Sequence, residues 1–189
     1  YEMYMGPLEQ SKPWNPRDVP GVYRFLQRAW RLLVQEDESQ AGAGELRPKL
    51  REAAAGAPDG ELERALHKML KKVTEDLDRM AFNTAISALM IFANEALKAP
   101  EKLARSQAER FVLALSPFAP HLGEELWARL GHGESLAYEA WPRFDERLTV
   151  DAEREIPVQI NGKVRGRVLV AQDISKEDLQ AWALAELAQ

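Results

Sequence analysis

Breaker residues constrain this chain more than anything else in it, because they decide where a helix can run and where it must stop. Pro7, Pro13 and Pro16 fall close together with Gly6, Trp14 and Asn15, and prolines this dense cannot sit in a helix interior. Residues 1–17 are therefore expected to form an irregular connector carrying aromatic anchors. From Asp18 the pattern changes. Val22, Phe25, Leu26, Ala29, Leu32 and Leu33 recur at helical spacing behind a possible Asp18 cap, with Pro20 tolerated in the first turn, so a first helix is predicted over residues 19–35. Gly42, Gly44, Pro48, Gly56, Pro58 and Gly60 then mark residues 36–60 as an insertion-like, mobile loop, with room for one short helix over 46–55.

Four more helical stretches follow. Leu62, Leu66, Met69, Val73, Leu77 and Met80 make one narrow stripe over residues 61–79, which needs other helices against it. Phe82, Asn83 and Thr84 can break and recap the chain before Ala85, Leu89, Phe92, Ala93 and Leu97. A fourth helix is predicted over 101–115. A fifth, carrying Leu122, Leu126, Trp127 and Leu130, lies between the Pro117–Pro120 turn and Gly131. The sum is a mainly α fold, an antiparallel helical bundle over residues 18–148.

Past Trp141 and Pro142 the period switches to two. Ile156, Val158 and Ile160 precede Asn161-Gly162, and Val164, Val168 and Val170 follow it, which reads as a β-hairpin. A two-residue turn would set Ile160 against Lys163 and Val158 against Arg165, mixing apolar and charged residues on one face. A three-residue loop with Gly162 at positive φ shifts the pairing by one. It aligns Ile156 and Val158 with Val164, Gly166 and Val168, and leaves Lys163, Arg165 and Arg167 together on the solvated face. A closing helix is predicted over residues 173–189, with Ser175 as cap and Leu179, Trp182, Ala183 and Leu187 as its apolar face. Residues 149–189 thus form the start of a small α+β domain, whose core is thin.

Composition narrows the chemistry. There is no cysteine, which removes disulfides, thiolate metal sites and a cysteine nucleophile together. No apolar run approaches the roughly 20 residues that span a bilayer, so a soluble protein is expected. Net charge is −5, from 30 acidic and 25 basic residues, so any nucleic-acid contact must come from local cationic patches.

No catalytic constellation is visible. Gly162 to Gly166 is basic and glycine-bearing, but a phosphate-cradling loop needs its glycines between a strand and a helix N-terminus. His121, Glu124 and Glu125 have the spacing of helical metal ligands, yet lack the His-Glu-x-x-His pattern, and a helix start with acidic residues explains them. His67 and His132 stand alone and are assigned structural or exposed roles.

Cationic rows are more informative. Arg24, Arg28 and Arg31 fall within about 60° of one another at ~100° per residue, opposite Phe25, Ala29 and Leu33. Such a row can meet successive phosphates, or be a solvated face with no ligand. Lys68, Lys71 and Lys72 are a weaker case, with Glu75 and Asp78 nearby. Lys163, Arg165 and Arg167 alternate along one strand, a geometry suited to an RNA backbone and equally to an edge strand that resists aggregation. The five tryptophans lie at core-facing positions or beside proline, which favours packing over base stacking.

Several strings together resemble one family. Tyr1 to Gln10 with Lys12-Pro13-Trp14-Asn15 looks like the segment that follows the ATP-site lysine loop of bacterial leucyl-tRNA synthetases. Gly21 to Leu26, Phe82 to Ile86, and Ser116 to His121 with Glu124-Glu125-Leu126-Trp127 resemble successive helices of the anticodon-binding domain in those enzymes. Trp141-Pro142, Asp145 and Val158 to Gly166 resemble the start of their C-terminal domain. The Ser116 to His121 run is shared with valyl and isoleucyl enzymes, whereas the N-terminal segment and Asn161 to Gly166 point to leucine.

The resemblance implies a parent leucine-tRNA ligase, cytoplasmic and monomeric, that joins leucine to its tRNA with ATP, with Mg and Zn in domains outside this chain. It implies that this chain carries no cofactor, metal or catalytic residue and is inactive alone. The implied partners are leucine tRNA and the catalytic and editing domains, with no membrane. The bundle would pack on the tRNA stem and the C-terminal domain would reach the outer corner, with Arg24, Arg28, Arg31, Lys163, Arg165 and Arg167 as candidate RNA contacts. Two other readings stand beside it: the equivalent piece of a valyl or isoleucyl enzyme, and a free-standing helical module that binds protein.

Overall fold

The computed structural model describes residues 1–36, 44–51, 60–150, 153–160, 163–171 and 180. By internal contact the chain divides into two compact units, Tyr1–Thr149 and Val150–Gln189.

In the first unit the helices are α1 (Val19–Leu33), α2 (Pro48–Arg51), α3 (Gly60–Asp78), α4 (Phe82–Ala96), α5 (Arg105–Leu115), α6 (Pro120–Arg129) and α7 (Glu146–Thr149). Short 3-10 turns at Pro16–Asp18, Pro100–Lys102 and Leu136–Tyr138 join them. The fold is mainly α, as the periodicity predicts. α3 packs on α4 and α5, and α1 on α4 and α6, around one core that includes Phe25, Leu66, Leu89, Phe92, Phe111 and Leu126. Phe111 apart, those positions belong to the stripes read from the sequence. The apolar area they remove from water holds the bundle.

The first helix is shorter than expected. It stops at Leu33 because Val34 turns to extended backbone (φ −109°, ψ 128°) and begins a strand, β1 (Val34–Glu36), paired antiparallel with β2 (Gly44–Leu46). Three-residue strands offer no alternation to count, so this ladder was not legible as sequence. Gly44 is fixed by close approach: a Cβ there would lie 2.6 Å from the Gln35 carbonyl oxygen.

Arg47 completes the end of α1. Its Nε donates to the Arg31 and Leu32 carbonyls, at 3.2 and 3.1 Å, and its backbone N–H to Leu33 O at 2.9 Å, supplying partners that a helix C-terminus lacks within itself. Arg47→Ala is expected to lower stability by about 1 kcal/mol, measured as a lower urea midpoint with an unchanged slope. Of the predicted short helix over 46–55, α2 occupies Pro48–Arg51, and residues 52–59 lie outside the described residues.

The α3–α4 junction is not recapped by Phe82, Asn83 and Thr84 as expected: these residues open α4, and the cap position is Ala81. Met80 takes a left-handed conformation (φ 56°), the Ala81 N–H donates to the Asp76 carbonyl at 2.7 Å, and Thr84 Oγ1 donates to the Asp76 carboxylate at 2.6 Å. Lys72 and Arg79 donate to the same fully buried carboxylate at 2.8 and 2.7 Å. Burial pushes Asp76 up, but the hydrogen bonds from Lys72, Thr84 and Arg79 outweigh it and hold the group below its ordinary range. One acid thus fastens both helices.

In the second unit β3 (Glu153–Ile160) and β4 (Lys163–Ala171) form the predicted hairpin. Its register differs from the one expected. Ile160 pairs with Lys163 and Gln159 with Val164, and then Arg165 is an extra residue on β4, so that Val158 meets Gly166 and Ile156 meets Val168. The one-residue shift argued for the loop is made by a β-bulge at Arg165 instead, which reconciles a close connection with apolar pairing beyond it. Lys163 is therefore paired with Ile160 and Arg167 with Pro157, while Arg165 sits at the bulge, a different register from the one that would align the three. The positive-φ Gly162 and the helix over 173–189 fall on positions outside the described residues, Gln180 apart.

Candidate nucleic-acid interface

Where the structure places the predicted cations decides which are available. Arg31 is exposed but turns back on its own helix, Nε donating to Gln27 O at 3.3 Å. Arg28 is half-buried, its Nε without a partner. Arg24 is exposed and opens onto a cleft. The three thus differ in exposure and in hydrogen bonding. Lys71 and Lys72 are committed internally, to Glu146 at 2.6 Å and to Asp76 at 2.8 Å.

The cleft, of about 680 Å³, lies between the N-terminal segment, the start of α1 and the face of α4. Tyr1, Tyr4, Lys12, Arg17, Arg24 and Asn83 line it, with Asp18 and Ser87 also on its wall. Local bonds set the segment's path: the Tyr4 and Met5 N–H groups donate to the Tyr1 carbonyl at 3.0 and 3.1 Å, and the Tyr1 hydroxyl donates to Asn15 O. Asn15 in turn accepts from the Arg17 N–H at 3.2 Å and donates to Asp18 at 2.7 Å. The Lys12 stem passes over Gly6, where a Cβ would come within 2.6 Å of it.

Sequence reasoning missed this site, because its cations are spread over an irregular segment and a helix start. It also misread Trp14. That side chain is 62% exposed, set edge-to-face against Tyr1 at 5.1 Å, since the flanking prolines keep its backbone out of any element that could carry it to the core. Trp30 and Trp127 do pack, the first beneath the Arg129 guanidinium and the second buried against His132.

A second polar site lies inside the bundle. Glu63 on α3 accepts from Arg110 Nη2 at 2.7 and 2.9 Å and from Gln107 Nε2 at 2.8 Å, and His67 Nε2 lies 3.0 Å from it. His67 Nδ1 accepts the Asp145 N–H at 2.8 Å, which leaves the ring proton on Nε2, facing Glu63. Burial pushes the Glu63 carboxyl up, but the bonds from Gln107, Arg110 and His67, with the Arg110 charge, hold it lower than usual. His67 is structural, though it is not isolated.

Alongside it, the segment after the last 3-10 turn is bound to α3 at three points. His67 holds Asp145, Lys71 holds Glu146, and Thr74 accepts from Trp141 Nε1 at 2.8 Å. Arg147 bonds to Asp145 from its side chain and backbone and lowers that carboxyl to about 2. Glu124, one of the apparent metal-ligand triplet, instead accepts from Ser135 Oγ and the Leu136 N–H. Among the described residues no group of three or more His, Asp or Glu is placed to hold a metal ion, and no helix is long and apolar enough to cross a membrane.

The described residues thus form a helical bundle with exposed cations around a cleft at its N-terminal segment. Residues 59–180 match the family described as the anticodon-binding domain of tRNA ligase, and the chain belongs to that family. Among solved structures it is similar, with a TM-score of 0.66 and 32% identity, to the crystallised ternary complex of Agrobacterium radiobacter K84 agnB2 LeuRS with tRNA and LeuAMS. That likeness covers 97% of this chain and 24% of the LeuRS chain, so the chain spans about a quarter of the length of the synthetase it matches.

Proposed function

We propose that this chain is the tRNA-binding portion of a leucine-tRNA ligase. The observation that carries the reading is the likeness to a LeuRS, which runs through nearly the whole chain, including the N-terminal segment outside the family match. On this reading ATP, and with it Mg and Zn, serves domains of the parent outside residues 1–189, and the chain positions tRNA without performing chemistry itself. The parent is cytoplasmic and monomeric, and the bundle's other partners are its own catalytic and editing domains. Residues 1–17 connect to the catalytic domain, 18–148 take the tRNA stem, and 149–189 open the C-terminal tRNA-binding domain.

Arg24 and Arg28 in the bundle, and Lys163, Arg165 and Arg167 on the hairpin, serve as phosphate contacts. Arg31 is the weakest of the proposed set because it bonds to its own helix. Phosphate contacts give affinity that falls with salt and carries no sequence preference.

The test is filter binding of the 189-residue chain to leucine and valine tRNAs across a range of salt concentrations. Leucine tRNA is expected to bind more tightly. Replacing Arg165 and Arg167 by glutamate is expected to weaken binding about tenfold and to flatten the log–log salt slope by about 2, near 0.9 for each phosphate no longer neutralised. An unchanged slope removes the hairpin from the interface. Equal affinity for both tRNAs removes leucine specificity from this chain, and no binding to either sinks the reading.

A further inference from the structure

The cleft at the N-terminal segment is not accounted for by the family match, which begins at residue 59, whereas the cleft's cations and aromatic residues all precede residue 25. Lys12, Arg17 and Arg24 are exposed, and none of their side chains is engaged in a hydrogen bond or ion pair among the described residues. In a chain of net charge −5, three uncommitted cations around one concavity form a local positive field. The wall they surround is hydrogen-bonding rather than greasy: Asn83 and Ser87 from α4, and the tyrosines from the segment. Between the lining residues Pro13 and Asn15 stands Trp14, which does not itself line the cleft but is exposed and set edge-on against Tyr1, which does.

Cations beside an exposed, held aromatic are the two parts of a single-strand nucleotide site, one for the phosphate and one for the face of the base. We propose that this cleft holds an unpaired nucleotide of an RNA strand, its phosphate among Lys12, Arg17 and Arg24 and its base on Trp14.

Asp18 argues for RNA over a free anion. Its carboxylate on the cleft wall repels a bare phosphate dianion, but accepts a hydrogen bond from a ribose 2′-hydroxyl, which DNA lacks. The site deepens the proposed function and rests on it for the source of the strand, though the chemistry of the cleft can be tested separately.

Short single-stranded RNA oligonucleotides supply the probe, with tryptophan fluorescence and salt-dependent affinity as readouts. RNA is expected to quench part of the emission, and Trp14→Phe to abolish that quench. The Lys12→Ala, Arg24→Ala double variant should weaken binding about tenfold and flatten the salt slope by about 0.7, the value for one phosphate of a single strand. Gly21 lines the cleft with open space above it, so Gly21→Phe fills the site without removing a charge and should block binding. All of these positions are exposed or open, and circular-dichroism melting should show folding unchanged.

Equal binding of DNA, or of a mononucleotide, would overturn the RNA-strand assignment. Oligonucleotide affinity unmoved by all three variants would overturn the site. If leucine tRNA binds but oligonucleotides do not, the cleft falls and the proposed function stands. The converse result leaves the cleft and removes the parent enzyme.

Discussion

Phe111→Ala is expected to cost the bundle about 3–5 kcal/mol, the largest effect of any single change considered for this chain. Phe111 is fully buried on α5, its ring 5.3 Å from that of Phe92 on α4, and both belong to the core shared by α3, α4 and α5. Deleting the ring removes its transfer free energy and leaves a cavity lined by side chains that are themselves fixed. Helices joined by short connections cannot close around it. Urea denaturation followed by circular dichroism should show a much lower midpoint with the slope retained. A loss below about 1 kcal/mol would mean that α5 does not pack as described.

Glu63→Gln is the second. Four hydrogen bonds converge on this carboxylate from Arg110, Gln107 and His67, all of them charge-assisted because the acceptor is ionised. Because Glu63 and Arg110 keep about a fifth of their side-chain surface in water, the interaction is screened, and the expected cost is about 2 kcal/mol at neutral pH. The pH dependence carries the sign. The folded-state value of Glu63 lies below its unfolded one, so its contribution is present in full above the ordinary glutamate range and is lost as pH falls through the lowered folded value. Asp76 acts in the same direction. Stability measured from neutral pH down to about pH 3 should therefore decline in the native chain, and decline less in the glutamine variant, which has no proton to take up at that site. A parallel decline in both would remove Glu63 from the acid response.

What was legible in the sequence followed from periodicity. Leu66, Leu89, Phe92 and Leu126 sit in the core because a helical stripe has one place to go, and breakers marked the ends of α3, α4 and α6 well. The β1–β2 ladder was missed because its strands are too short to carry a pattern. The hairpin was found, but its register was not: a bulge at Arg165 produces the same far pairing as a longer loop, and the residues do not distinguish the two until the near pairs are seen. The cleft was hidden for another reason. Arg24 was read in a helical row with Arg28 and Arg31, but Lys12 and Arg17 share no period with it, and Trp14 next to proline reads like any packed tryptophan. Nearby acids made Lys72 a weak candidate in the sequence, but Glu75 and Asp78 were the acids noted, whereas its partner is Asp76.

The three bonds that tie the segment before Val150 to α3 come from His67, Lys71 and Thr74, side chains spaced four and three residues apart and hence aligned along one side of the helix. A helix presents such a line as a graduated scale. An imidazole acceptor, an ammonium and a hydroxyl each match one point of the segment, so a slip of one helical turn, about 5.4 Å, would misalign all three together. The seam is polar at these three points, beside the buried Pro142 and the half-buried Phe144 that packs on the core. α3 therefore works as a vernier: it sets the height at which the chain leaves the bundle, apolar burial holding the segment against it and recognition of individual groups fixing the register.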